Sequence, residues 1–370
     1  MITKLYANNF RCLVNYKMEF DSFCVLCGPN GAGKSSVFDA LSLIRDLATG
    51  DGILGSEGER DVPQLEFAKW LNSTTQEFEL SVTADTRAYE YTLHLEQKAS
   101  YEKPRIVKER AACDGRVLFE RDFEEVRFSR ADGSHGGFPL DWRKAALASI
   151  QPKSSLRDLE ALQKAIAGLV ILQPNPRSME RESRSEAKHP DRYLGNLTSW
   201  YRVLSQDLEW TDALRLSLRE VWPDFRTFRL VEFGLNTKVL QLRFDGSNGS
   251  ESGDLYFGQL SDGEKALVGL YMARAALETG ASRTLLIDEP DNFVGLPELQ
   301  PWVLSLRGLL DERHQAVLIS HHPEILSNAG EQSGRYLWRD NHSSPTQIGP
   351  LKIPTGLSAG EAVTRGWARG

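Results

Sequence analysis

The run Gly28-Pro29-Asn30-Gly31-Ala32-Gly33-Lys34-Ser35 constrains this chain more than any other stretch, because it fits G-x-x-x-x-G-K-[ST] at every fixed position. Before it stands Phe23-Cys24-Val25-Leu26-Cys27, an apolar run of the kind that forms a strand buried on both faces. After it, Val37, Leu41, Leu43, Ile44 and Leu47 recur at helical spacing. Strand, glycine loop and helix in that order predict an anion nest rather than a mere glycine-rich turn. Glycines let successive backbone N–H groups turn inward without Cβ interference, and the helix N-terminus adds roughly half a positive charge. Lys34 is expected at the β- and γ-phosphates of a nucleotide and the Ser35 hydroxyl on Mg²⁺. Asn30, Gly31, Ala32, Gly33 and Ser36 complete the expected cradle.

A second apolar run, Thr284-Leu285-Leu286-Ile287, ends in the acidic pair Asp288-Glu289. Two charges at the end of a buried strand are costly unless used. Asp288 is expected to hold the magnesium from the strand beside the phosphate loop, and Glu289 to polarise an attacking water. Further upstream, Leu260-Ser261-Asp262-Gly263-Glu264-Lys265 has the form of a helix start, with Ser261 and Glu264 spaced as a capping box. It reads either as that cap alone or as a second phosphate-binding helix N-terminus.

Between these motifs the periodicity changes. Residues 76–128 alternate as an antiparallel meander, broken by the turn-like pairs Asp85-Thr86 and Asp114-Gly115. Residues 141–168 and 196–222 read as helical. The polar stretch 174–192 between them carries Arg177, Arg181, Arg184, Lys188 and Arg192 among acidic residues. It reads as a solvated loop or as a contact for nucleic acid or a partner. Strands are expected at 226–233 and 237–244, then a Gly/Ser-rich loop at 245–254. The last third reads helix 261–279, strand 283–288, helix 297–312, strand 315–320 and helix 323–328. Strands alternating with helices imply an α/β fold with a parallel sheet covered on both faces.

Composition narrows the class. The 370 residues are 41% hydrophobic and 26% charged, ordinary globular usage that excludes wholesale disorder. A net charge of −7 argues against a non-specific nucleic-acid coat, while leaving room for a local basic groove. Four cysteines are too few for a disulfide framework and suit a reducing cytoplasm. Cys24-x-x-Cys27 has no second CxxC and is expected to be core. No stretch approaches the ~20 apolar residues of a membrane span. The opening MITKLYANNFRCLVNYKMEF lacks an apolar h-region, so an unprocessed, soluble, cytoplasmic protein is expected.

With the phosphate loop, acidic pair and Ser261–Glu264 in place, the chain resembles the ATP-binding-cassette ATPases. In these, a signature motif from one subunit closes on nucleotide held by the other. Asp291 then lies where the family has its D-loop aspartate, although Asn292-Phe293-Val294 departs from the commoner wording. Val317-Leu318-Ile319-Ser320-His321-His322-Pro323 resembles the strand carrying the switch histidine. His321 is assigned that role, with His322 hard to separate from it. A metal pair at these histidines lacks accompanying ligands. Asn9-Phe10-Arg11 resembles the segment typical of the RecF, SMC and OLD-like branch and puts Arg11 among the nucleotide contacts. Lys34 and Ser261 lie 227 positions apart (261 − 34), so something is inserted, yet no heptads occur. This resembles the compact AAA15/AAA21-type ATPases. The family also implies a magnesium-contacting glutamine, for which Gln173 is the candidate.

The resemblance implies an ABC-type ATPase head with an antiparallel β subdomain and a helical insert. The expected divisions are a phosphate-loop part (1–75), the β subdomain (76–140), a helical arm (141–225), a C-terminal ATPase lobe (226–340) and a tail (341–370). It further implies an ATPase using ATP and Mg²⁺ as a head-to-tail homodimer, acting in DNA repair or anti-phage defence, on DNA or with a separate effector. With no room after residue 330 for a nuclease domain, nuclease or toxin activity is expected on another polypeptide. The alternatives are a transporter's ATP-binding subunit and an ATP-locked scaffold.

Overall fold

The computed structural model describes residues 1–129, 135–151, 156–246 and 253–369. The chain opens with β1 (Ile2–Asn8), β2 (Tyr16–Glu19), β3 (Phe23–Cys27) and α1 (Lys34–Thr49). Six strands follow: β4 (Thr75–Ala84), β5 (Arg87–Glu96), β6 (Arg105–Cys113), β7 (Arg116–Asp122), β8 (Glu125–Ser129) and β9 (His135–Pro139). Then come α2 (Ala146–Ser149), α3 (Arg157–Ala167), β10 (Leu169–Leu172), β11 (Glu182–Ser183), α4 (Leu197–Leu204) and α5 (Leu208–Val221). Three strands, β12 (Phe225–Glu232), β13 (Lys238–Phe244) and β14 (Gly253–Tyr256), lead to α6 (Asp262–Glu278). The chain ends with β15 (Thr284–Asp288), α7 (Leu296–Leu309), β16 (Gln315–Ile319), α8 (Pro323–Ser333), β17 (Gly334–Trp338), β18 (Gln347–Pro350) and α9 (Ala359–Thr364).

The alternating residues of 76–128 form the expected meander. Its first two-residue turn, Asp85-Thr86, has φ of 49° and 66°, and its second, Asp114-Gly115, 48° and 77°, the left-handed pairs that tight hairpins require. The meander extends beyond its expected start. β1 pairs with β4, setting Leu5 opposite Leu80 and Ala7 opposite Phe78, and the sheet runs β2-β1-β4-β5-β6-β7-β8-β9. The N-terminal strands join it because their buried residues share its apolar face. The expected boundary at 225–226 likewise cuts a packed unit. The Tyr201 ring on α4 packs tilted against Phe228 on β12, centres 5.3 Å apart, and β12, β13, β14 and β11 form a small separate sheet. Of the expected 245–254 loop, 247–252 lie outside the described residues, while β14 takes its end.

The second large sheet has the order β10-β15-β16-β3-β17-β18, parallel except for β18. β3 divides its side chains between two cores. Cys24 and Leu26 join α1, α3 and the antiparallel sheet, and Val25 and Cys27 join α6, α7 and α8. Both cysteines are free, and burial pushes each thiol up to about 12, so they are inert core residues as expected. β16 lies between β15, which ends in Asp288, and β3, which leads into the phosphate loop. Among the described residues, no helix is long and apolar enough to cross a membrane.

Candidate active site

Three loops leave the same edge of the parallel sheet. Leu26, Ile319 and Asp288 are level across β3, β16 and β15, so the phosphate loop, Ser320–His322 and Glu289–Phe293 all emerge together. Gly28 has φ 137°, and a Cβ there would lie 2.0 Å from the Leu337 carbonyl oxygen. Gly33, at φ 98°, leaves no room beside Cys12, whose Sγ would be 2.8 Å from a Cβ. Gly33 is also the N-cap of α1 and supplies no side-chain acceptor, so the first N–H groups of the helix are left for an anion. Lys34 folds back and donates to the carbonyls of Gly28 (2.7 Å) and Pro29 (3.1 Å). Its burial lowers its pKa, against the neighbouring charges of Asp288 and Glu289.

Asp288 reaches past the intervening strand to accept a 2.8 Å hydrogen bond from the Ser35 hydroxyl. It is 2% exposed, and burial raises its pKa, with the Ser35 bond acting the other way. A hydroxyl and a carboxylate brought together on hard oxygen donors fit Mg²⁺ completed by phosphate and water. Among the described residues, no group of three or more His, Cys, Asp or Glu forms a self-sufficient metal site. Gln173 follows β10, whose Leu172 is opposite Ile287, and so stands level with Asp288. Its N–H donates to the carbonyl of Arg192 at 2.6 Å.

Glu289 adopts φ 51°, unusual for a non-glycine residue, anchored by its N–H to the Ile319 carbonyl at 2.8 Å. Its carboxylate accepts from the Asn292 amide at 2.6 Å, and Asp291 accepts from the Ser320 hydroxyl at 2.6 Å. The two histidines differ in employment. The His322 ring accepts the Glu324 N–H at 3.2 Å and caps α8. His321 Nε2 is buried and has no hydrogen-bond partner among the described residues, and burial, then Lys34, lower its pKa. Of the two rings, His321 is the one with a nitrogen unspent, although it does not line the cavity that opens beside the phosphate loop.

A cavity of about 980 Å³ opens beside the loop, lined by Asn30, Gly31, Gly33, Lys34, Ser35, Ser36, Asp288, Glu289 and Arg11. Its lining also holds Phe67, Lys69, Trp70 and Arg339, none of them foreseen from sequence. The Arg339 guanidinium lies 5.3 Å from the centre of the Trp70 ring and donates to the Gly31 carbonyl at 3.3 Å. The aromatic pair Phe67 and Trp70 was a visible signal; Arg339 arrives only through the packing of β17 on β3. Ser261, Gly263 and Glu264 do not line this cavity. They start α6 with the expected capping box: the Glu264 N–H donates to Ser261 Oγ at 3.3 Å, and the Ser261 N–H to Glu264 Oε2 at 2.8 Å.

The basic loop is divided. Arg177 and Arg184 are exposed at 79% and 82%, whereas Arg192 turns inward, pairs with Asp39 and stands 3.9 Å from Asp288. Arg192 is therefore removed from the set expected to meet nucleic acid. Arg11 bridges Asp39 and Glu66 on the cavity wall.

With the phosphate nest and the Ser35–Asp288 pair at one edge of its parallel sheet, the chain has the fold of an SMC/ABC-type ATPase head. Residues 23–327 match the family described as "AAA domain, putative AbiEii toxin, Type IV TA system", and the chain belongs to that family. Its fold is similar to the SMC head domain from Thermotoga maritima, at 16% identity and TM-score 0.51, covering 95% of this chain and 99% of that one. It is also similar to an Smc head bound to the C-winged helix domain of ScpA, at 13% identity and TM-score 0.58, covering 96% and 99%. A third likeness is the Pyrococcus furiosus Smc head with an extended coiled coil bound to the C-terminal domain of ScpA. There the identity is 12%, the TM-score 0.53 and the coverage 98% of each chain. No curated protein matches the sequence.

Proposed function

We propose that the protein binds ATP with Mg²⁺ in the cavity beside Gly28–Ser35 and hydrolyses it as an ATP-gated head-to-tail homodimer. The observation that carries this reading is the Ser35–Asp288 hydrogen bond at the mouth of a glycine nest, next to Lys34. Lys34 and the α1 N–H groups hold phosphate, and Asn30–Ser36 wrap it. Ser35, Asp288 and Gln173 would hold the magnesium, which when bound neutralises charge on the phosphate oxygens. Glu289 orients and deprotonates the attacking water, and His321 donates to the terminal phosphate. Arg11 holds the cavity wall, and Trp70 with Arg339 receives the base. Ser261, Gly263 and Glu264 stand outside their own cavity and serve the nucleotide of a second copy, beside its Asp291.

The family's printed description, which names a putative toxin and a Type IV TA system, supports a place in a toxin–antitoxin type of module. The exposed Arg177, Arg181, Arg184 and Lys188 support a local contact to DNA. The fold likeness to SMC heads favours this reading over a transporter subunit. Lys34→Ala is the test. Isothermal titration should show no ATP binding, a loss of at least about a hundredfold for a charge removed from an anion site; wild-type affinity would refute the reading.

A further inference from the structure

Arg192 is the one basic residue of the 174–192 stretch that the sequence reading placed outside and the fold turns inward. One arm of its guanidinium pairs with Asp39 and the other stands 3.9 Å from Asp288. The side chains of Asp39 and Asp288 are only 11% and 2% exposed. Two carboxylates this buried and facing one site repel each other unless a cation stands between them. The Arg192 Nε is buried without an acceptor among the described residues, so the group is placed for its charge and not for a full set of hydrogen bonds.

We infer that Arg192 is the resident counter-cation of the metal site. It neutralises Asp39 and Asp288 in the nucleotide-free protein and excludes a bare divalent ion from Asp288 until nucleotide brings phosphate oxygens to complete the shell. The inference rests on the proposed Mg·ATP reading for the identity of that ion.

The two contacts are unequal in the way this role needs. The Asp39 arm is a direct ion pair, whereas 3.9 Å to Asp288 is beyond a hydrogen bond, so an incoming ion displaces only the long contact. Asp39 keeps Arg11 as a second partner, and the hydrogen bond from Ser35 keeps Asp288 oriented. The backbone that presents Arg192 is fixed. Asp191 accepts the N–H groups of Tyr193 and Gly195 at 2.9 Å each and that of Asn196 at 2.8 Å, and Leu194 sits at φ 58°. The Arg192 carbonyl takes the Gln173 N–H, tying this turn to the other expected magnesium contact. The guanidinium is thus carried on a rigid turn while its outer arm stays free to yield.

The test reads Mn²⁺ binding by electron paramagnetic resonance on the full chain without nucleotide. Arg192→Met removes a positive charge about 4 Å from the ligand carboxylate, so Mn²⁺ should bind about tenfold tighter than in wild type. Arg192→Lys keeps a cation and should return affinity to the wild-type level. Asp288→Asn added to Arg192→Met should abolish the gain, placing the ion at Asp288. Unchanged or weaker Mn²⁺ binding in Arg192→Met, with wild-type circular dichroism, would overturn the inference, as would a gain that survives Asp288→Asn. Failure of the nucleotide reading is separate: it appears as intact ATP affinity in Lys34→Ala whatever Mn²⁺ does.

Discussion

Adjacent residues of the same type do different work when the backbone points them apart. His322 spends its ring nitrogen on the Glu324 N–H, while His321 keeps Nε2 buried and unpaired near Lys34. Burial and that ammonium hold the folded-state pKa of His321 below its ordinary 6.5, so the unfolded chain takes up its proton first. The sign follows directly. Stability contributed by neutral His321 is complete above the ordinary value and is lost as pH falls through it toward the lowered one. Urea midpoints taken at about pH 7 and about pH 5.5 should therefore fall further in wild type than in His321→Asn, since the variant has no proton to gain. Equal falls would mean that His321 is free to ionise in the folded protein.

At the scale of elements, one buried carboxylate ties the antiparallel sheet to the start of α2, beside the apolar core the two share. Glu109 on β6 accepts the N–H groups of Ala146 (2.6 Å) and Leu147 (2.9 Å) at the start of α2, and the Tyr91 hydroxyl at 2.8 Å. The Arg121 guanidinium is 3.8 Å away, and both side chains are fully buried. Desolvation pushes the Glu109 pKa up, and these donors push it back down. Glu109→Ala would take from Arg121 its buried carboxylate, leaving it the Phe123, Asp141 and Lys144 carbonyls, and would leave two helix N–H groups unpaired. Urea unfolding should show a loss of about 3–5 kcal/mol, with Glu109→Gln losing clearly less because it keeps an acceptor. A loss within about 0.5 kcal/mol would place the fastening elsewhere.

At the scale of the whole molecule, the cavity beside Gly28–Ser35 does not include Ser261, Gly263 or Glu264, the residues proposed to serve a second copy's nucleotide, in its lining. Ser261 caps α6, and a Cβ at Gly263 would come 2.8 Å from the Phe293 carbonyl, so the start of α6 abuts the loop that follows Glu289. In the proposed head-to-tail dimer a second copy would supply these residues to each site. Glu289→Gln would remove the proposed base but leave Ser35 and Asp288, so with ATP and Mg²⁺ it should run as a dimer in light scattering. Adding Ser261→Arg places a bulky side chain where the partner's phosphate would dock. That double variant should run as a monomer and still bind ATP within about threefold of its parent. A double variant that dimerises fully would return Ser261 and Glu264 to capping alone.

Local chemistry was legible in the order of residues because it needs only neighbours. The nest at Gly28–Ser35, the Asp85-Thr86 and Asp114-Gly115 turns and the Ser261–Glu264 box each close within eight positions, so residue type and spacing specify them. What the tertiary structure alone decided is which distant segments meet. Arg192 and Asp39 are 153 positions apart, and Asp288 and Ser35 are 253 apart. The insertion of β16 between β15 and β3, the recruitment of β1 into the antiparallel sheet and the arrival of Arg339 over Trp70 follow from strand order. Strand order is set by how two apolar faces of one sheet are covered at once. No periodicity within a single strand encodes that choice, because a strand buried on both faces reads the same whichever neighbour it takes.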